Sequence, residues 1–192
     1  AKVYADQQDS ATKTAVRNMQ IWNYADNNQP FKTGGLSYVV QSAIGTNATN
    51  PVIENGILTS LNIPVGVHTY GGQTESWKMY ITGWILPEYT ETYTFSITAD
   101  DLVQIYSDTT MLADDLSGVV SFNWPLQANV WTPIRIAWYQ VYSGSGCVIQ
   151  WSSPSLGTLQ DIPASRMGSS MNSITVEDVK AKNITVSGAA NI

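Results

Sequence analysis

Between Trp77 and Trp151 the apolar side chains recur at every second residue, and that period constrains the fold more than any other feature of the chain. A strand sends successive side chains to opposite faces, so a period of two marks extended segments with one face buried. Tyr93-Thr-Phe95-Ser-Ile97-Thr-Ala99 alternates without a break, leaving Thr92, Thr94, Ser96 and Thr98 on the other face. Ile134-Arg-Ile136-Ala-Trp138 repeats the pattern behind Pro133, which stands at the start of its run, where a missing N–H is tolerated. Further strands are expected over 77–86, 102–106, 119–124 and 147–151. Breaks fall at Pro87-Glu88, Asp108-Thr109, Asp114-Asp115, Ser143-Gly-Ser-Gly146 and Ser153-Pro154. Several short strands between such turns predict an all-β chain folded as an antiparallel β-sandwich or barrel. Phe95, Ile97, Val103, Ile105, Ile134, Ile136, Trp138, Ile149 and Trp151 are its expected shared core.

The ends of the chain read differently. Residues 1–22 are polar and Ala-rich, with Ala11, Ala15, Met19 and Trp22 at helical spacing behind an Asp9 or Ser10 cap, which predicts a helical N-terminal arm. Residues 23–171 form the expected sandwich domain, whose first strands fall near Leu36 to Val40 and Ile57 to Ile63. Residues 172–192 form a C-terminal arm in which Ser173-Ile-Thr-Val176 is echoed by Asn183-Ile-Thr-Val186. Its β-branched pairs suit contact with a neighbouring subunit, and a terminal arm without fixed structure is the alternative.

Composition narrows the functions. Seven Trp and ten Tyr in a chain that is 43% apolar supply large side chains for a core. Charged residues are only 12% and the net charge is −6, with nine scattered Lys and Arg, so no basic row exists to neutralise phosphates and nucleic acid is excluded as a partner. No apolar run approaches the roughly 20 residues that span a bilayer, and residues 1–10 are too polar for a signal peptide. Ala1 follows either a removed Met or a cleaved signal, and the two histories imply opposite compartments. Cys147 is the only cysteine, so no internal disulfide and no thiolate cluster can form. Alternation places it beside Ile149 and Trp151 as a buried structural residue.

Catalytic chemistry finds little support. His68 is the only histidine and no Gly-x-Ser-x-Gly nucleophile motif accompanies it. Glycosidases need two carboxylates about 5 to 9.5 Å apart across a sugar, and Glu54, Glu75, Glu88 and Glu91 lie in segments with no reason to converge. No phosphate loop or cofactor fingerprint appears. The chain is expected not to be an enzyme.

The run Trp84-Ile-Leu-Pro87, then Tyr93-Thr-Phe95-Ser-Ile97-Thr-Ala-Asp100-Asp101-Leu-Val103-Gln-Ile105-Tyr106-Ser-Asp108, resembles the core signature of the PA-fourteen domain family, named after the N-terminal fragment of anthrax protective antigen. Pro133-Ile-Arg-Ile136, Trp138-Tyr139, a Gly-containing loop, Val148-Ile-Gln-Trp151 and Ile162-Pro-Ala-Ser165 follow in the same order, so the resemblance covers roughly residues 70 to 168. In lectin members of the family an Asp-Asp pair joined by a cis peptide binds a calcium ion that also coordinates vicinal sugar hydroxyls, and a second loop completes the site. The resemblance therefore implies calcium as cofactor, with Asp100, Asp101, Gly144 and Ser145 as its ligands, and Tyr106, Tyr142 and Ser143 against the sugar. Calcium takes six to eight oxygen ligands in irregular geometry, which adjacent carboxylates, carbonyls and water can provide. Consecutive strand residues point to opposite faces, so both carboxylates can reach one ion only if the backbone between them leaves extended geometry. A tyrosine ring can stack on an apolar sugar face.

Two departures from the lectin pattern stand in the sequence: Leu102 replaces the Gly that usually follows the Asp pair, and the second loop has no carboxamide or carboxylate of its own. An Asp pair at a strand end is commonly a solvated turn, and members of the family that do not bind sugar keep similar residues as scaffold. Asp114-Asp115 is a second acidic pair, in a segment the family uses as an ordinary turn.

The expected function is a glycan-binding attachment module, extracellular or on a virion surface. Its expected partners are a cell-surface glycan or polysaccharide and, through the arms, neighbouring subunits in a homo-oligomer or larger assembly. A bacteriophage spike, head fibre or tail component fits the arms and the start of the chain. The alternatives are a structural assembly or decoration protein that uses the sandwich as scaffold, and a bacterial surface adhesin module.

Overall fold

The computed structural model describes residues 32–43, 51–115, 118–142 and 144–169. The two arms expected over 1–22 and 172–192, and Ser143, lie outside the described residues. The alternating segments are strands, thirteen in chain order: β1 (Lys32–Thr33), β2 (Leu36–Ser42), β3 (Val52–Leu58), β4 (Asn62–Gly66), β5 (Trp77–Ile85), β6 (Glu91–Asp100), β7 (Leu102–Ser107), β8 (Thr110–Asp115), β9 (Gly118–Leu126), β10 (Thr132–Gln140), β11 (Ser145–Ser152), β12 (Gln160–Asp161) and β13 (Met167–Ser169). The described residues contain no α-helix, only a single 3-10 turn at Ala164–Arg166. No described helix is long and apolar enough to cross a membrane.

All strand pairs are antiparallel and they form two sheets. In the larger, β5 lies beside β10 along its whole length, while β2 and β13 divide its other edge between them. Next to β10 come β7 and β8, and β3 and β1 extend the opposite side. In the smaller sheet β6 is central between β9 and β11, and β4 and β12 share the far edge of β11. The chain is an antiparallel β-sandwich, as the period of two requires.

The alternating side chains meet between the sheets. Trp77, Met79, Ile81, Val103, Ile105, Ile134, Ile136 and Trp138 come from the larger sheet, and Tyr93, Phe95, Ile97, Cys147, Ile149 and Trp151 from the smaller. All nine residues expected in the core belong to this one buried cluster, and Cys147 is buried with them. Each fully buried side chain of this size contributes about 1.5–3 kcal/mol relative to an exposed one. Trp77 and Trp138 pack edge to face at 4.8 Å, and Phe95 stacks on Phe122 at 5.1 Å, so aromatic contacts run through both sheets.

Three segments depart from their expected roles: Ser145 and Gly146 begin β11 instead of lying in a break, the run Ile57 to Ile63 is divided between the end of β3 and the start of β4, and Asp114-Asp115 ends β8 instead of forming a turn. An edge strand with one face in water tolerates acidic residues. Here the Asp114 carboxylate accepts a hydrogen bond from Gln104 Nε2 at 3.3 Å, and a bulge between Ile105 and Tyr106 adjusts the register.

Candidate functional site

Two crossovers between the sheets lie side by side at one tip of the sandwich. β6 belongs to the smaller sheet and β7 to the larger, so the chain changes sheet at Asp101; it changes back between β10 and β11, through residues 141–144. Strand register makes these crossovers neighbours, because Asp100 stands opposite Gly146 and Leu102 opposite Tyr139. The Asp101 carboxylate then spans the gap, with Oδ2 accepting hydrogen bonds from Val141 N at 2.7 Å and Tyr142 N at 3.3 Å. Beneath them, Trp138 Nε1 donates to the Asp100 carbonyl at 2.9 Å and so fixes the end of β6 to the larger sheet. The peptide between Asp100 and Asp101 is cis, the departure from extended backbone that the family resemblance implies.

Both carboxyl groups reach the loop that follows β10. Burial first, then the charge of Asp101 and a hydrogen bond between the two side chains, push the Asp100 carboxyl above the usual carboxylate range. Gly144 faces the pair with φ +93°, and a Cβ added there would lie 3.4 Å from Asp100 Oδ2. Only glycine adopts that backbone freely, and only glycine leaves the space beside the carboxylate open.

Gln140 supports the second loop from below. It is 1% exposed, and its Nε2 donates to the carbonyls of Tyr142 and Gly144. Its Oε1 and the hydroxyl of Ser145 are buried under the same loop without hydrogen-bond partners in the described structure. A buried polar atom left unpaired is destabilising, so these two oxygens mark places where a further donor or cation is favourable. Sequence reasoning missed Gln140. The signal was there, since it is a polar residue on the inward parity of Ile134, Ile136 and Trp138.

The remaining candidates separate. Tyr142 is 74% exposed and stands over the tip beside Val141. Val65 and Val67, also exposed, flank Gly66, which pairs with Ser145, one strand beyond β11 from the acidic pair. Ser145, implied as a calcium ligand by the resemblance, has its side chain fully buried on the inward parity of Cys147. Tyr106 is carried away from the tip along β7, about 16 Å from Asp101 at some 3.3 Å per residue, and its ring lies under the Arg135 guanidinium at 4.4 Å. His68 belongs to the bend after β4, where Nε2 hydrogen-bonds the Pro64 carbonyl at 2.8 Å.

The donor set fits a divalent cation. Two carboxylates balance its charge, and water can complete the oxygen shell of a hard ion. Among the described residues no group of three or more His, Cys, Asp or Glu side chains converges, so Asp100 and Asp101 would be the anionic ligands.

No protein-family model matches the sequence, and no curated protein matches it significantly. Solved structures share the fold. An anti-sigma factor domain-containing protein superposes with a TM-score of 0.65 at 23% identity, over 74% of this chain and 50% of that one, so the chain spans half of that relative's length. The Epithelial Adhesin 6 A domain from Candida glabrata, solved in complex with Galβ1-3GlcNAc, superposes at 0.60 with 16% identity, over 78% of this chain and 92% of that one. The PA14 domain of the MpAFP antifreeze protein gives 0.58 at 12% identity, over 78% and 98%. At these identities the similarity establishes the fold: a sandwich of the kind found in PA14 and adhesin A domains.

Proposed function

We propose that this chain is a non-enzymatic, calcium-dependent glycan-binding attachment module displayed outside a cell or on a virion, with a phage spike, fibre or tail appendage among its settings. The observation that carries the reading is that both carboxylates reach the same loop at the tip: Asp101 Oδ2 accepts from Val141 N and Tyr142 N, and Asp100 Oδ2 lies beside Gly144, whose missing side chain leaves it accessible. The adhesin solved with Galβ1-3GlcNAc on the same fold supports it.

Asp100 and Asp101 would hold calcium, with water completing the oxygen shell, because the Tyr142 and Gly144 carbonyls of the neighbouring loop are engaged by Gln140 from below. Calcium would supply coordination positions at which vicinal sugar hydroxyls replace water. The protein's own part is to fix the pair. Trp138 anchors the Asp100 backbone, Val141 and Tyr142 orient the Asp101 carboxylate, and Gln140 holds the loop at its height. The exposed Tyr142 ring offers an apolar face to a sugar. A non-enzymatic role is supported by the engagement of three other acids with the scaffold. Glu54 accepts from Tyr38 and Gly71, Glu91 from Ser155, and Asp161 from Asn62 and Gln150.

Thermal unfolding with and without calcium tests the metal site. A ligand that binds only the folded state stabilises it by RT ln(1 + [L]/Kd), about 2.7 kcal/mol at 100 times Kd, so calcium should raise the melting temperature clearly. Asp101→Asn should abolish the rise and leave the calcium-free protein nearly as stable as before, because it removes a charge without opening a cavity. A wild-type melting curve unchanged by millimolar calcium would assign the sandwich to a scaffold role.

A further inference from the structure

A sheet edge exposes unpaired N–H and C=O groups that can template pairing with another chain, and proteins guard such edges with charges, prolines, bulges or short strands. The edges of this sandwich are guarded in that way at all but one place among the described residues. β1 and β12 have two residues each. β3 carries Glu54, and its pairing with β2 is bulged. β4 has Pro64 at its centre and a bulge against β11. β8 ends in Asp114 and Asp115 and is bulged against β7.

β9 has none of these devices until Pro125, its second-last residue. Its nine residues, Gly-Val-Val-Ser-Phe-Asn-Trp-Pro-Leu, include no charged side chain. They pair with β6 in unbroken register from Glu91↔Leu126 to Ala99↔Gly118. Val119 is 71% exposed on the outer face. On the inner face Val120 and Phe122 are only partly buried although they pack on the core, so the sandwich is incompletely covered beside this strand.

We propose that β9 is an interaction edge that pairs with β9 of a second copy of this chain, antiparallel about a two-fold axis, to make one continuous ten-stranded sheet. The strand is self-complementary in that arrangement. Centred on Ser121, the pairing sets Val120 opposite Phe122 on the inner face, Val119 opposite Asn123 on the outer face, and Ser121 opposite its own copy. Each inner pair then covers the half-open apolar rim of both subunits. The uncharged strand brings no like charges together in a molecule whose net charge is −6. Because the β9 end at Gly118 lies beside Ala99, next to the Asp100–Asp101 tip, an antiparallel pair sends the two tips to opposite ends of the joint sheet. On the functional reading above, the dimer bridges two glycan surfaces instead of doubling its grip on one.

Sedimentation of the full chain over a concentration series, with S121K, S121C and S96C, tests the pairing without reference to calcium or sugar. Wild type should show a monomer–dimer equilibrium, and S121K, which places two cations opposite each other across the axis, should raise the dimer dissociation constant several-fold. S121C should form an intermolecular disulfide under oxidising conditions, whereas S96C, on the neighbouring interior strand, should not; native Cys147 is 1% exposed and does not compete. Unchanged melting of S121K separates lost pairing from lost folding. A wild-type chain that is monomeric throughout overturns the proposal, and amide exchange would then show whether the chain's own arms protect β9. An oligomer indifferent to S121K and not cross-linked by S121C overturns it as well.

Discussion

Asp100 is held partly out of water beside a second carboxylate, and both conditions favour its protonated form. The sign of the consequence follows. A carboxyl raised in the folded state contributes to the stability of the calcium-free fold at low pH, and that contribution is lost as the pH rises through the raised folded value. Calcium bound as proposed would have to displace the same proton, so its affinity should fall with decreasing pH from a point nearer neutrality than for an isolated aspartate. Asp101→Asn should return the Asp100 carboxyl of the calcium-free protein toward its ordinary range. Carboxyl-resolved NMR titration checks both, and an Asp100 that titrates at its ordinary position in the wild type contradicts them. In the core, Phe95 is fully buried between Phe122, Trp124 and Trp151, so Phe95→Ala should cost about 3–5 kcal/mol in denaturant unfolding. A loss under about 1 kcal/mol would remove Phe95 from the core.

Among the elements, β5 depends on a glycine that alternation alone does not explain. Gly83 takes an inward position, and a Cβ there would stand 2.2 Å from the Gly168 carbonyl and 2.8 Å from Leu36 Cδ2. Gly83→Ala should therefore push β13 and β2 from β5 at a cost of about 1–3 kcal/mol, as other overpacked sites do, with the calcium response intact because the tip lies at the other end of β10. Wild-type stability in this variant would show that β13 yields freely. The long strands were legible in the sequence because a half-buried strand must alternate, and Tyr93 to Ala99 and Ile134 to Trp138 do so cleanly. β8 was not, because an edge strand accepts the Asp114-Asp115 pair that elsewhere marks a turn. The site divides in the same way. Asp100, Asp101, Gly144 and Tyr142 could be placed by resemblance, since two crossovers bring them together. The inward orientation of Ser145 and the distance of Tyr106 depend on parity and strand direction, which short motifs do not encode. The inward parity of Gln140 was legible in the same alternation, but its role is set by the loop above it.

At the scale of the whole molecule, the two sheets supply a frame whose crossovers present an acidic pair at one tip, and whose smaller sheet ends, among the described residues, in the edge strand β9. If this tip recognises glycans through calcium, a glycan array run with and without calcium should show binding to a defined set of glycans in calcium, loss of that binding in chelator, and the same loss with Asp101→Asn in a chain that remains folded. Binding to the same glycans that survives both chelation and Asp101→Asn, or binding to none of them in calcium, would contradict that reading.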